Sequence, residues 1–139
     1  MAHLSLSEWL ARAESDRRFR ENVTAIKRID ATDGLFAPYP QWVNPAIQKV
    51  LSGRGITKLY NHQVRAIELV HQGRDIVLVT PTASGKTLCY NIPVLQRIIE
   101  EPETRAIYLF PTKALANDQM AEVHGLIREL KANIKTYTY

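Results

Sequence analysis

A chain of 139 residues has room for one domain of ordinary size, and 45% hydrophobic with 23% charged side chains is the balance of a globular protein rather than a disordered tract. The single cysteine, Cys89, excludes an internal disulfide and a cysteine-rich metal site, and the apolar run Ile76–Val79 is far too short to span a bilayer. A net charge of +4 with a pI near 9.3 is a mild basic excess with no basic tail, so charge alone does not point to nucleic acid.

The opening Met1-Ala2-His3-Leu4-Ser5 lacks a basic segment followed by an apolar run, so no signal peptide is expected and the chain reads as cytoplasmic. Ser5-Leu6-Ser7-Glu8 has capping-box spacing, and Leu6, Trp9, Leu10 and Ala13 recur at helical intervals, which predicts one helix over Leu6–Arg20. Arg17, Arg18 and Arg20 stand among Asp16 and Glu21, the mixture of a solvated face. Asn22-Val23-Thr24 spells a glycosylation sequon, a chance match in a chain without a secretory signal. Residues 26–35 are expected to be extended. Pro38 and Pro40 cannot continue a helix, so Phe36-Ala37-Pro38-Tyr39-Pro40 reads as a linker-like strap.

Asn44-Pro45 opens a second helix, with asparagine as cap and proline in the first turn, and Gly53 closes it. A third helix is predicted over Asn61–Gln72, stopped by Gly73. The pattern then changes. Residues 75–80 are a nearly continuous β-branched run, the signature of a strand buried on both faces. A helix over Lys86–Glu100 follows, kinked at Pro93, then a strand over Arg105–Phe110, a helix over Thr112–Lys131 and a strand from Ile134. Strands alternating with helices predict a parallel sheet flanked by helices, with ligands at the carboxyl ends of its strands. The loops after Thr80 and Phe110 would then share one edge.

The first of these loops reads Thr80-Pro81-Thr82-Ala83-Ser84-Gly85-Lys86-Thr87. It fits the phosphate-binding pattern G-x-x-x-x-G-K-[ST], except that Thr80 stands where the first glycine belongs. Backbone N–H groups of Thr82, Ala83, Ser84 and Gly85 and of the helix start would converge on phosphates. Lys86 would supply a point charge to the β and γ phosphates, and Thr87 a hydroxyl to Mg²⁺. The plain alternative is a strand-to-helix turn that spells Ser-Gly-Lys-Thr by chance. Its position after a β-run and before a helix favours the phosphate loop. Cys89 is assigned to the core rather than to reactivity.

Gln63 lies 23 residues before Lys86, at the start of the third helix. A glutamine amide offers a donor and an acceptor side by side, which suits N6–H and N7 of adenine. An ordinary surface glutamine is the alternative. Tyr60 would either stack on the base or pack in the core. His62 is assigned to the surface or to capping, having no partner to make it a metal ligand. Pro111-Thr112-Lys113-Ala114-Leu115-Ala116 again groups hydroxyl, cation and helix N-terminal amides. Pro111, Thr112 and Lys113 would suit a single strand's backbone, and a simple capped helix start is the competing account.

Gln63, the loop Thr80–Thr87 and the run Pro111–Ala116 together resemble the Q motif, motif I and motif Ia of superfamily 2 helicases, in order and at suitable intervals. More narrowly, Gly55–Gln63 followed by Thr80–Leu95 looks like the bacterial mitomycin-repair helicase group and its RecQ-like relatives, DEAD/DEAH-type DNA helicases that translocate 3′ to 5′ and end in a cysteine-rich zinc domain. The resemblance implies an α/β fold: an incomplete RecA-like parallel sheet of the P-loop NTPase kind over residues 38–139, with residues 1–37 as a helical N-terminal extension. It implies ATP and Mg²⁺ as cofactors, single-stranded or forked DNA rather than RNA as partner, and no membrane. Two departures bear on it. DEAD-box proteins place an aromatic 17 residues before the Q-motif glutamine, where this chain has Ala46. No adjacent Asp-Glu pair occurs, so the metal-holding and water-orienting carboxylates of motif II are missing, and the sequence reads as an opening fragment whose partner is the rest of its own helicase chain. A small P-loop kinase would leave Gln63 and Thr112 unexplained. A nucleotide- or nucleic-acid-binding module without turnover is the other alternative.

Overall fold

The computed structural model describes residues 5–27, 29, 33–80 and 84–138. Two compact units divide the chain, Met1–Asp33 and Gly34–Tyr139.

In the first unit, α1 (Leu6–Ser15) starts with the expected capping box: the Ser5 hydroxyl accepts from the Glu8 N–H, and the Glu8 carboxylate accepts from the Ser5 N–H at 2.8 Å. These bonds hold the Glu8 carboxyl below the usual carboxylate range. The single helix expected over Leu6–Arg20 is instead broken at Asp16, and α2 (Arg17–Asn22) begins there. The Asp16 carboxylate accepts from the Arg18 and Phe19 amides at 2.7 and 3.2 Å, in competition with the helical ladder, and its backbone turns extended. Trp9 and Phe19 meet edge to face at 6.4 Å across the break.

Among the described residues the second unit is built on four helices. The chain enters through β1 (Phe36–Ala37), and α3 (Pro45–Gly53) follows, with the Asn44 side chain accepting from the Ala46 amide at 2.8 Å. Then come β2 (Leu59–Tyr60), α4 (Asn61–His71), α5 (Lys86–Glu100) and α6 (Lys113–Leu130). Their apolar faces close over Val43, Ile47, Leu51, Leu59, Ile67, Ile92, Leu95, Leu126 and Ile127. Each fully buried leucine or isoleucine contributes on the order of 1.5–3 kcal/mol. The buried Gln96 accepts from the Asn44 N–H at 2.7 Å and so ties the start of α3 to α5. α5 runs unbroken through Pro93, which is buried. Arg54, at the end of α3, is held by Glu122 and Glu129 of α6. Among the described residues no helix is long and apolar enough to cross a membrane.

The expected parallel sheet is not formed. Among the described residues the only sheet is the antiparallel pair β1–β2, in register Phe36↔Tyr60 and Ala37↔Leu59. Residues 75–80, 105–110 and 132–138 keep the strand pattern, since Ile76, Leu78, Tyr108, Phe110 and Ile134 are half-buried between exposed neighbours. Val77 is 92% exposed and Ile107 87%, and no backbone hydrogen bond joins these segments to one another. The reason is tertiary. A parallel strand is stable when both of its faces are covered, and here the helices cover one set of alternate residues and leave the other bare. The chain is therefore mostly helical.

Candidate nucleotide-binding site

α5 begins directly after Gly85, whose φ of 73° and ψ of 28° are left-handed. Only glycine adopts that conformation without strain. A left-handed residue leading into a right-handed helix brings successive N–H groups together in a concavity, and the first-turn amides of a helix have no intrahelical acceptor. Such an arrangement can cradle an anion. A side chain at 85 would also collide with α4, because a Cβ there would stand 2.5 Å from Nε2 of Gln63.

Lys86 is the first residue of α5. Its Nζ donates to the carbonyl and hydroxyl oxygens of Thr80, both at 3.1 Å, and to the Ser84 hydroxyl at 3.3 Å. The Thr80 and Ser84 hydroxyls are themselves 2.6 Å apart. Thr80, standing in place of the first glycine, thus ties the two ends of the loop together. These acceptors are neutral oxygens. Phosphate oxygens carry negative charge and would attract the ammonium more strongly, so it can exchange partners in favour of an anion. Thr87 is half-buried in the first turn of α5. Thr82 and Ala83, also expected at the nucleotide, lie outside the described residues, as does Pro81.

The first turn of α4 lies against this loop. Gln63 is 2% exposed and both ends of its amide are engaged: Oε1 accepts from the Tyr60 N–H at 2.8 Å, and Nε2 donates to the Gly85 carbonyl at 2.8 Å. Beside it, Nε2 of His62 bonds the Ser84 carbonyl at 2.9 Å. Sequence reasoning missed this role for His62, because a backbone carbonyl 22 residues away leaves no mark on the sequence. Tyr60 is 38% exposed and stacks on Phe36 at 4.6 Å and on His62 at 5.5 Å. Its ring belongs to an aromatic ladder at the loop rather than to the buried core.

Pro111, Thr112 and Lys113 are exposed at the start of α6. The Thr112 hydroxyl caps the helix by accepting from the Leu115 N–H at 3.3 Å, and Lys113 projects from the same turn. Two side-chain bonds connect this region to α5. Tyr90 donates to Gln119 at 2.7 Å, and Tyr108 donates to the buried Asn91 at 3.0 Å. Burial, aided by the neighbouring Tyr90, pushes the Tyr108 hydroxyl up to about 12, so it stays a neutral donor. Burial also pushes the Cys89 thiol up to about 11, which leaves it protonated and packed in the core. Among the described residues no cluster of three or more His, Cys, Asp or Glu could hold a metal ion.

The DEAD/DEAH box helicase family model matches residues 60–138. An ATP-dependent helicase of Bacillus subtilis, YprA, is 49% identical over 125 residues, covering 90% of this chain and 17% of the relative. The ATP-dependent helicase HRQ1 of Saccharomyces cerevisiae is 41% identical over 93 residues, covering 64% of this chain and 9% of its own length. Among solved structures, the DUF1998 helicase MrfA bound to DNA and AMPPNP superposes with a TM-score of 0.81 at 45% identity, over 98% of this chain and 19% of that one. The same helicase bound to DNA superposes with a TM-score of 0.79. The chain thus spans a fifth or less of the length of these relatives.

Proposed function

The chain belongs to the DEAD/DEAH box helicase family, and from that premise we propose that it carries the nucleotide-gripping part of an ATP-dependent DNA helicase. The observation that carries the proposal is the left-handed Gly85 running into the N-terminus of α5, with the Lys86 ammonium held on Thr80 and Ser84 of the same loop. This geometry fits a nucleoside triphosphate. The cradle amides would hold β- and γ-phosphate oxygens, and Lys86 would leave Thr80 to neutralise them. Thr82, Ala83 and Ser84 belong to the same loop. Thr87 would offer its hydroxyl to Mg²⁺, which would supply positive charge to neutralise the phosphates. Gln63 and Tyr60 would meet the adenine. Residues 38–139 form the nucleotide-binding domain in this reading and residues 1–37 its extension.

Pro111, Thr112 and Lys113 would hold the backbone of a single DNA strand by exposed amides and a cation. DNA rather than RNA is favoured by the likeness to a DNA-bound helicase structure; a role in DNA repair and a cytoplasmic location are part of the same proposal.

Lys86→Ala tests the proposal. Deleting the ammonium should abolish most affinity for ATP–Mg²⁺ measured by calorimetry. Unchanged binding would remove the phosphate-loop assignment.

A further inference from the structure

We infer that His62 is a positioning residue of the phosphate loop, which aims the Gly85 N–H into the anion cradle by holding the Ser84 carbonyl; the inference rests on the nucleotide-binding reading above. A carbonyl oxygen only accepts, so in the 2.9 Å contact it is Nε2 of His62 that carries the proton. A trans peptide is planar, with its C=O and N–H pointing in opposite directions. Drawing the Ser84 carbonyl toward α4 therefore turns the Gly85 N–H away from α4. Drawing the Gly85 carbonyl toward Gln63 does the same for the Lys86 N–H. These are the two amides that a left-handed residue followed by a helix start presents to an anion. Adjacent side chains in the first turn of one helix thus clamp two consecutive peptide units of the loop.

The clamp is itself braced. The His62 ring lies nearly parallel to Tyr60, at 15°, and Tyr60 stacks on Phe36. Gly34 lets the backbone lie against this ladder, since a Cβ there would stand 2.7 Å from the Tyr60 ring and 2.8 Å from that of Phe36. Without the His62 donor, the Ser84–Gly85 peptide can turn over at low cost, because glycine on its carboxyl side tolerates either orientation. The amide then faces the cradle only part of the time, and apparent affinity falls by that fraction.

The experiment uses the 139-residue chain, ATP–Mg²⁺ as ligand and two substitutions. His62→Phe keeps a ring on Tyr60 and removes the donor; His62→Gln restores an N–H donor near the place of Nε2. His62→Phe should weaken ATP–Mg²⁺ binding roughly three- to tenfold with an unchanged thermal midpoint, and His62→Gln should recover most of it. In the unliganded chain, ¹⁵N NMR should find the His62 ring protonated at Nε2. An Nδ1–H ring overturns the inference, as does wild-type affinity in His62→Phe. A loss that His62→Gln does not recover, accompanied by a lower thermal midpoint, assigns His62 to packing alone and overturns it too. Lys86→Ala is the control: if it also binds as wild type, the nucleotide reading itself falls, whereas if only His62→Phe is silent, that reading stands and His62 has no part in it.

Discussion

Nε2 of Gln63 lies 2.8 Å from the Gly85 carbonyl oxygen and 2.5 Å from the point where any other residue at 85 would carry its Cβ. The start of α4 and the phosphate loop are therefore fitted to one another through the one residue type that leaves both the space and the left-handed turn. Whatever moves the loop must be felt at Gln63, and whatever engages Gln63 must be felt at the loop.

This contact sharpens what Gln63→Ala should do. A glutamine that reads adenine through two hydrogen bonds contributes about 1–3 kcal/mol of discrimination against guanine. Its amide is engaged by Tyr60 and Gly85 and keeps one further lone pair on Oε1 and one further N–H on Nε2 for the base. The expected outcome is a narrowed preference for ATP over GTP in paired binding titrations. Equal weakening of both nucleotides would assign Gln63 to the loop alone.

Lys113 is exposed beside the capped start of α6, where a phosphate contact would carry no base information. Lys113→Ala should weaken binding of single-stranded DNA about equally for all sequences. The slope of log affinity against log salt should fall by about 0.7, the contribution of one neutralised phosphate on a single strand. Fluorescence anisotropy over a salt series measures both, and a sequence-selective loss would argue against a backbone contact.

Arg54 binds Glu122 at 2.8 Å and Glu129 at 2.7 Å, joining the end of α3 to α6. The hydrogen bond from Arg54 holds the Glu129 carboxyl below its ordinary value. A carboxyl depressed in the folded state stabilises the fold above its unfolded pKa, and that stability is lost as the pH falls through the folded value. Replacing Arg54 with methionine should lower the thermal midpoint by a few degrees at neutral pH and flatten its decline on acidification below about pH 4.5. An acid limb as steep as wild type would place the sensitivity elsewhere.

Residues 1–139 by themselves should release no phosphate from ATP. In-line attack needs a completed metal clamp, a positioned water and a cation facing the developing charge; arginine fingers alone contribute about 10³ to 10⁵ in rate. The chain has Lys86 and Thr87 but no adjacent Asp-Glu pair. DNA-stimulated phosphate release measured beside Lys86→Ala should be indistinguishable from that control. Turnover above it would mean that other groups supply the chemistry of those carboxylates.

Local signals in the sequence determined the Ser5–Glu8 capping box, the Asn44-Pro45 start of α3 and the bounds of α5, within a residue of where the structure has them. Each depends on side chains bonding backbone a few residues away, or on a glycine that alone tolerates its φ. The break at Asp16 was of the same kind, an aspartate able to cap the amides of Arg18 and Phe19, but the apolar spacing on either side concealed it. Tertiary structure decided what depends on distant partners. Residues 75–80 and 105–110 have strand composition, yet a parallel ladder is stable only where another backbone lies alongside and both faces are covered. Gln63 and His62 were visible as residues, but not their acceptors, two carbonyls 22 residues along the chain. A carbonyl is common to every residue type, so only the folded chain could select which two.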